Sequence, residues 1–354
     1  MSLLFNEFKL RGVTFSNRIW VSPMCQYSAK NGLVGDWHKI HLGALVSGLP
    51  GLVMVEATGI VPDGRISIGC LSIEDDEHAT AFKPIIEFAH SHRVKIGIQL
   101  AHAGRKGSTM RPGDDHKLAM VNEGGWKTVS ASPLAFADYP IPNELTVSEI
   151  KNLINEFSHA AKRAIKSGFD VIEIHAAHGY LLHQFYSPLS NHRNDEYGGD
   201  FTGRTKFLLE TVRSVRKCIP AATPLFVRIS ATDWIDGGWD INESTKLCIL
   251  LKESGVDLVD VSSGGNLSNA DIPNYPGYQV SLAKEIRMTA KIPTSAVGLI
   301  TDPLQAEKIL VNEDADAIFL GREMLRNPRW PLYAAKQLGV DIVWPIQLQR
   351  GKIT

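Results

Sequence analysis

Eight short, almost wholly apolar runs recur along the chain, and each ends in a small or polar residue. They are Ile19–Met24, Leu52–Ala57, Lys95–Leu100, Asp170–His175, Leu225–Ser230, Leu258–Ser262, Thr294–Gly298 and Ala317–Gly321. Runs without polar alternation read as strands covered on both faces, as in a parallel sheet. Helical patterns lie between them. The clearest puts Ile150, Leu153, Ile154, Phe157, Ala160, Ala161, Ala164 and Ile165 on one stripe, behind a Thr146/Glu149 capping-box signature. Another opens at Asp302-Pro303, a cap residue followed by proline at the first helical position. Strands alternating with helices in this way predict an α/β fold, a (β/α)8 TIM barrel. A doubly wound open sheet has the same alternation and differs in closure.

The longest gap between runs follows the third strand. It predicts a loop or hairpin insertion over 101–145, where Pro112-Gly113, Gly124-Gly125 and Pro140-Ile141-Pro142 break any helix. On the C-terminal face of a barrel such an insertion is placed to cover a substrate. A length of 354 residues suits two domains of about 150 residues, but one barrel can fill well over 200. The continuous βα period favours a single domain over 1–354.

Composition removes several classes of function. Apolar residues make up 44% of the chain, enough for a full core, so disorder is excluded as the main state. Lys and Arg number 37 against 38 Asp and Glu, a net charge of −1, which argues against a nucleic-acid partner. Cys25, Cys70, Cys218 and Cys248 are far apart and form no CxxC, so neither a disulfide framework nor a metal site is indicated. The N-terminus has no signal-peptide pattern. The most apolar window, 43–61, is broken by Gly48, Pro50, Gly51, Glu56 and Gly59, so no membrane span is expected. The expectation is a cytoplasmic protein.

In a barrel the chemistry sits where strands give way to loops. The first strand delivers Ser22-Pro23-Met24-Cys25-Gln26-Tyr27, and the third Gln99, His102, Arg105 and Lys106. The fourth delivers His175, His178 and Tyr180, and the fifth Arg228. Gly298 and Gly321-Arg322, after the seventh and eighth strands, suit a phosphate site built from backbone N–H groups; equally, helix-start turns need glycine. His175 and His178 admit three readings. They are zinc ligands lacking a third partner, satisfied core histidines, or paired N–H donors aimed at one oxygen. Lys106 is either a Schiff-base lysine of an aldolase-like barrel or a solvated loop residue. Trp234, Trp239 and Trp344 could line a pocket or simply pack.

Taken in order, further segments join these. They are Asn17-Arg-Ile-Trp-Val-Ser-Pro-Met-Cys-Gln-Tyr27, Val55-Glu-Ala-Thr58, Gly64-Arg-Ile-Ser67 and Gly97-Ile-Gln-Leu-Ala-His-Ala-Gly-Arg-Lys106. After them come His175-Ala-Ala-His-Gly-Tyr-Leu-Leu-His183, Ser187-Pro-Leu-Ser-Asn-His-Arg193, Tyr197-Gly-Gly199 and Phe319-Leu-Gly-Arg322. Together they resemble the old yellow enzyme family of flavin-dependent ene-reductases, in particular its bacterial subgroup of xenobiotic reductases and NADPH dehydrogenases. The resemblance runs from about residue 5 to the C-terminus.

It implies a barrel that binds FMN and takes electrons from NADPH, or NADH, to reduce activated C=C bonds of α,β-unsaturated carbonyl or nitro compounds by ping-pong turnover. Ser22, Pro23, Met24, Cys25, Ala57, Gln99, Arg228, Gly298, Gly321 and Arg322 match FMN contacts. His175 and His178 match the pair that grips the substrate oxygen, Tyr180 the proton donor, and Tyr27 and Lys106 substrate-pocket positions. Within the C-terminal tail, 340–354, Trp344-Pro-Ile-Gln347-Leu-Gln-Arg350-Gly351 resembles a segment whose arginine, here Arg350, enters a neighbouring subunit's site, which implies a homodimer or homotetramer. Three departures stand out: Asp200-Phe-Thr-Gly-Arg204 replaces a Ser-x-Glu-Asn-Arg pattern, Gly43-Ala-Leu-Val46 lacks a basic residue, and Leu348 stands where tyrosine is usual. The alternatives are a Schiff-base aldolase using Lys106 and a non-catalytic flavin-binding protein.

Overall fold

The structure, a computed structural model, describes residues 2–114 and 117–352. Two residues of the predicted insertion, 115 and 116, and the last two of the predicted tail lie outside the described residues. An N-terminal hairpin of β1 (Phe8–Leu10) and β2 (Val13–Phe15) precedes the barrel strands β3 (Ile19–Val21), β4 (Leu52–Gly59) and β5 (Lys95–Ala101). Short strands β6 (Val129–Ser130) and β7 (Asn143–Glu144) belong to the insertion. The barrel then continues through β8 (Val171–Ala176), β9 (Leu225–Ser230), β10 (Leu258–Ser262), β11 (Thr294–Ala296) and β12 (Ala317–Leu320). β12 pairs with β3 in parallel and closes the barrel, so the open-sheet alternative falls away.

Helices fill the intervals. In chain order they are α1 (Asp36–Val46), α2 (Asp76–Ala81), α3 (Lys83–Ser91), α4 (Val147–Ser167), α5 (Leu181–Tyr186) and α6 (Phe201–Cys218). They continue with α7 (Ile241–Glu253), α8 (Val280–Ala290), α9 (Pro303–Val311), α10 (Arg322–Arg326) and α11 (Trp330–Gln337). No helix among the described residues is long and apolar enough to cross a membrane.

Local signals in the sequence have direct counterparts. Thr146 and Glu149 form the capping box of α4, and Asp302 caps α9 with Pro303 in its first turn. Asp200 accepts from Gly203 N–H and caps α6, so Asp200-Phe-Thr-Gly-Arg204 keeps a helix cap. Three strands end earlier than the apolar runs. β3 stops at Val21, short of Pro23, which has no N–H to give a ladder. β11 stops before Gly298, whose φ of 123° leaves the strand region, and β12 stops at Leu320. In the insertion the hairpin element is confined to an antiparallel bridge between Thr109 and Leu118. β6 and β7 pair in parallel, because a long loop rather than a tight turn joins them.

Two cores result. The larger lies between the strands' outer faces and the helices. The smaller fills the barrel lumen: Trp20, Leu52, Phe226, Leu258 and Phe319 stack over Leu10 and Phe15 of the hairpin. Trp20 and Phe226 are stacked with centroids 5.6 Å apart. The lumen is thus plugged with apolar side chains at its N-terminal end, and Gln99, Glu173, Arg228 and Asp260 lie further along their strands toward the opposite mouth.

Candidate active site

Along β8, β9 and β10 the inward positions alternate with outward ones, so Glu173, Arg228 and Asp260 enter the lumen above the apolar plug. Arg228 Nε lies 3.1 Å from Asp260 Oδ2, out of line for a hydrogen bond, and Ser295 Oγ donates to Asp260 Oδ1 at 2.9 Å. Gln99 Nε2 donates to Glu173 Oε1 at 2.8 Å. Burial pushes both carboxyls above the usual carboxylate range, and the Arg228 charge opposes the shift.

A cavity of about 230 Å³ opens above this layer. It is lined by Arg228, Ser262, Tyr278, Gly298, Gly321 and Arg322, among others. A Cβ on Gly298 would meet Gln279 Nε2 at 2.9 Å, so that backbone must stay bare. Gly321 faces open space, its nearest neighbours being Met24 Sδ and Ser22 Cβ at 4.0 Å from a Cβ position. Ser22 Oγ and Arg228 Nε are buried without hydrogen-bond partners. Arg326, one helical turn beyond Arg322, adds a second guanidinium to the lining. Bare glycine backbone, two exposed guanidinium groups and unpartnered buried donors fit a phosphate-bearing cofactor such as FMN.

Beside this cavity three rings converge. His175 packs edge-on against His178, with centroids 5.2 Å apart, and against Tyr180 at 5.0 Å. Burial and the Arg228 charge hold both imidazoles well below their ordinary pKa, so both are neutral at pH 7. His175 Nδ1 accepts from Ala177 N–H, which leaves the ring proton on Nε2. His178 Nε2 lies 2.7 Å from Ser262 Oγ. Burial raises the Tyr180 phenol, which stays protonated.

The turn that aims these rings is strained. His178 has φ of 57° and Gly179 follows at 70°; a non-glycine residue in this region costs about 1–3 kcal/mol. Several contacts hold it. His178 N–H donates to Ser230 Oγ at 2.8 Å, and Gly179 N–H donates to His183 Nδ1 at 2.9 Å. His183 Nε2 stands 2.9 Å from Asp233, both fully buried. A Cβ on Gly179 would lie 2.2 Å from Gly265 O, so the loop after β10 locks against this turn.

Lys106 spans both loops. Its Nζ donates to His178 O at 2.9 Å and to Gly265 O at 2.8 Å, and it lies over the rings of Phe136 and Tyr180. With its protons committed to two carbonyls, the amine is not free to attack a carbonyl substrate, which counts against the Schiff-base reading. Tyr27, Lys106 and Tyr180 line a second, more open cavity of about 430 Å³, walled by Met110, Arg111, Pro112 and Tyr139 of the insertion.

Most of the residues singled out by sequence come together at this end. Ser22, Pro23, Met24 and Cys25 follow β3, and Ala57 lies past a bulge in β4 at Glu56. Arg350 does not join them. It is exposed, and its tail, including Trp344, runs beside Asn17, Leu49 and Arg93 at the N-terminal ends of β3, β4 and β5. Trp239 is buried, packed against Tyr186, and Trp234 lines a separate groove with it.

Sequence reasoning missed Glu173, Asp260, Ser262, Tyr278 and Arg326. Three had a signal. Glu173 and Asp260 are acidic residues inside apolar strands, which must be doing something other than packing. Arg326 repeats Arg322 at helical spacing. Tyr278 comes from a long loop that carries no such mark.

The comparisons follow the same lines. A family model described as the NADH:flavin oxidoreductase / NADH oxidase family matches residues 3–341. An NADPH dehydrogenase of Geobacillus thermodenitrificans is 48% identical over 353 residues, covering 99% of this chain and 98% of that protein. Among solved structures, morphinone reductase superposes with a TM-score of 0.80 at 25% identity, over 96% of this chain and 91% of that one. An old yellow enzyme homologue from Zymomonas mobilis does so at 0.78 and 25%, over 97% and 95%.

Proposed function

Because the chain belongs to the NADH:flavin oxidoreductase / NADH oxidase family and is an NAD(P)H-dependent flavin oxidoreductase of the old yellow enzyme type, we propose that it reduces the activated C=C bond of α,β-unsaturated carbonyl and nitro compounds. The observation that carries this reading is the packing of two neutral imidazoles and a protonated phenol around one point at the barrel mouth.

Bound FMN would supply the hydride to the alkene β-carbon after being charged by NADPH. Ser22, Pro23, Met24, Cys25, Ala57, Gln99 and Arg228 are the residues that would hold its ring system, with Gly298, Gly321 and Arg322 at its phosphate. His175 and His178 donate to the substrate's carbonyl or nitro oxygen. Negative charge grows there as the β-carbon is reduced, so the donors bind the transition state more tightly than the ground state. His178 exchanges its contact with Ser262 for this role. Neutral rings suit it, since an imidazolium would be costly at this depth. Tyr180 gives its proton to the α-carbon. Tyr27 and Lys106 shape the pocket, and the 101–145 insertion covers it. Arg350 completes the site of a neighbouring subunit in a dimer or tetramer, a role supported by its distance from its own chain's cavity.

The test is the visible spectrum of the purified protein, followed by anaerobic NADPH and then cyclohexenone. A yellow protein bleached by NADPH and recoloured by the enone is expected, with NADH run in parallel. A colourless protein that gains no activity with FMN overturns the reading.

A further inference from the structure

Cys25 and Cys70 share no motif in the sequence, yet the fold brings them together. Cys25 follows β3, and Cys70 sits in the segment after β4. The two segments are joined by a hydrogen bond from Ala29 N–H to Gly69 O at 2.8 Å. The Sγ atoms of both cysteines and a carboxylate oxygen of Glu56 all lie within 4.8 Å of one another. Glu56 is brought there by the β-bulge in β4 and accepts from Gln26 N–H at 3.1 Å. Glu56 and Cys70 are buried and Cys25 is partly so.

We propose that Cys25, Cys70 and Glu56 form a binding site for a thiophilic divalent cation of the Zn²⁺ class. Two thiols and a carboxylate are a zinc donor set. A tetrahedral ion with Zn–S near 2.3 Å holds two sulfurs roughly 3.8 Å apart, so the ligands close by about 1 Å at most. A second observation points the same way. His38, 1% exposed, has an Nε2 with no hydrogen-bond partner, 3.5 Å from Glu56 Oε1. Its Nδ1 accepts from Gly35 N–H at 3.1 Å, so the ring proton sits on Nε2, facing Glu56. His38 is thus a positioning residue for the carboxylate ligand, the outer partner that metal sites use. Without a cation, the hydrogen bond to Cys70, burial and the nearby carboxylate push the Cys25 thiol up. Metal binding replaces two thiol protons and releases them to solvent.

Binding is read on the full chain, kept reduced, by titrating Zn²⁺ against a chromophoric chelator and Co²⁺ by its thiolate charge-transfer absorption. The expected result is one ion per chain with proton release. Cys70→Ser should abolish the Co²⁺ charge-transfer band, while Cys218→Ser and Cys248→Ser leave it intact. His38→Gln should weaken Zn²⁺ binding roughly tenfold. Should Cys70→Ser fail to fold, Glu56→Gln, which keeps both sulfurs, should still weaken Zn²⁺ binding in the chelator titration. Parent-like binding by the ligand variants, or fully reduced parent protein that takes up no ion, overturns the proposal. These readouts use the metal alone, so failure here leaves the flavin reading untouched.

Discussion

Lys106 Nζ donates to the carbonyl of His178 at 2.9 Å while standing 5.2 Å from the centre of the Tyr180 ring. One cation therefore props the strained turn and faces the proposed proton donor. Burial lowers the lysine from 10.5 to about 8. Enone reduction should fall as pH rises through about 8, because the positive charge near the substrate oxygen is lost. Lys106→Arg, which keeps its charge, should move that limb to higher pH in a kcat/KM profile. Stability moves the other way. Below pH 8 the full cost of burying the charge is present, and between about pH 8 and 10.5 the folded chain holds fewer protons, so stability rises with pH.

His175→Ala or His178→Ala should raise the barrier to enone reduction by roughly 2–4 kcal/mol, with less effect on flavin reduction by NADPH. The wild-type profile should show no limb near pH 6.5, since both imidazoles titrate well below it. Stopped-flow measurement of each half-reaction separates the two steps. Equal, small losses in both would reject the donor role.

Tyr180→Phe should slow reduction of enones by about 10²–10⁴-fold while leaving the NADPH half-reaction nearly intact. Nitro groups reduced without carbon protonation should be spared. A parallel loss in all three assays would make Tyr180 a packing residue only.

Arg228→Met should weaken FMN retention on a desalting column. It also strips Asp260 of its buried partner, and breaking such a pair costs about 3–5 kcal/mol. Asp260→Asn in the same chain should recover most of the stability but not the flavin affinity. Denaturant unfolding of the two variants and their combination checks this; recovery of both together would show that Arg228 acts on the fold alone.

Arg350→Ala chains mixed with Tyr180→Phe chains should regain activity if the arginine serves a neighbouring subunit, because some sites then hold both wild-type residues. A fully active monomer by light scattering would refute the arrangement.

The sequence by itself determined the order and period of the eight strands, since continuous apolar runs admit only a sheet covered on both faces. It also marked the strand ends that carry chemistry, and every one of Ser22, Gln99, His175, Arg228, Gly298 and Gly321 lies at or near the C-terminal mouth. Local rules sufficed there, because a barrel strand's end and a loop's start are fixed by neighbours in the chain. Closure was decided by the pairing of β12 with β3, a contact between opposite ends of the sequence that no local pattern encodes. Tertiary structure also decided which groups meet: Glu173 beside Gln99, Lys106 bridging two loops, Cys25 beside Cys70. It alone set their protonation, because burial and neighbouring charge shift a pKa only once distant segments have packed around the group.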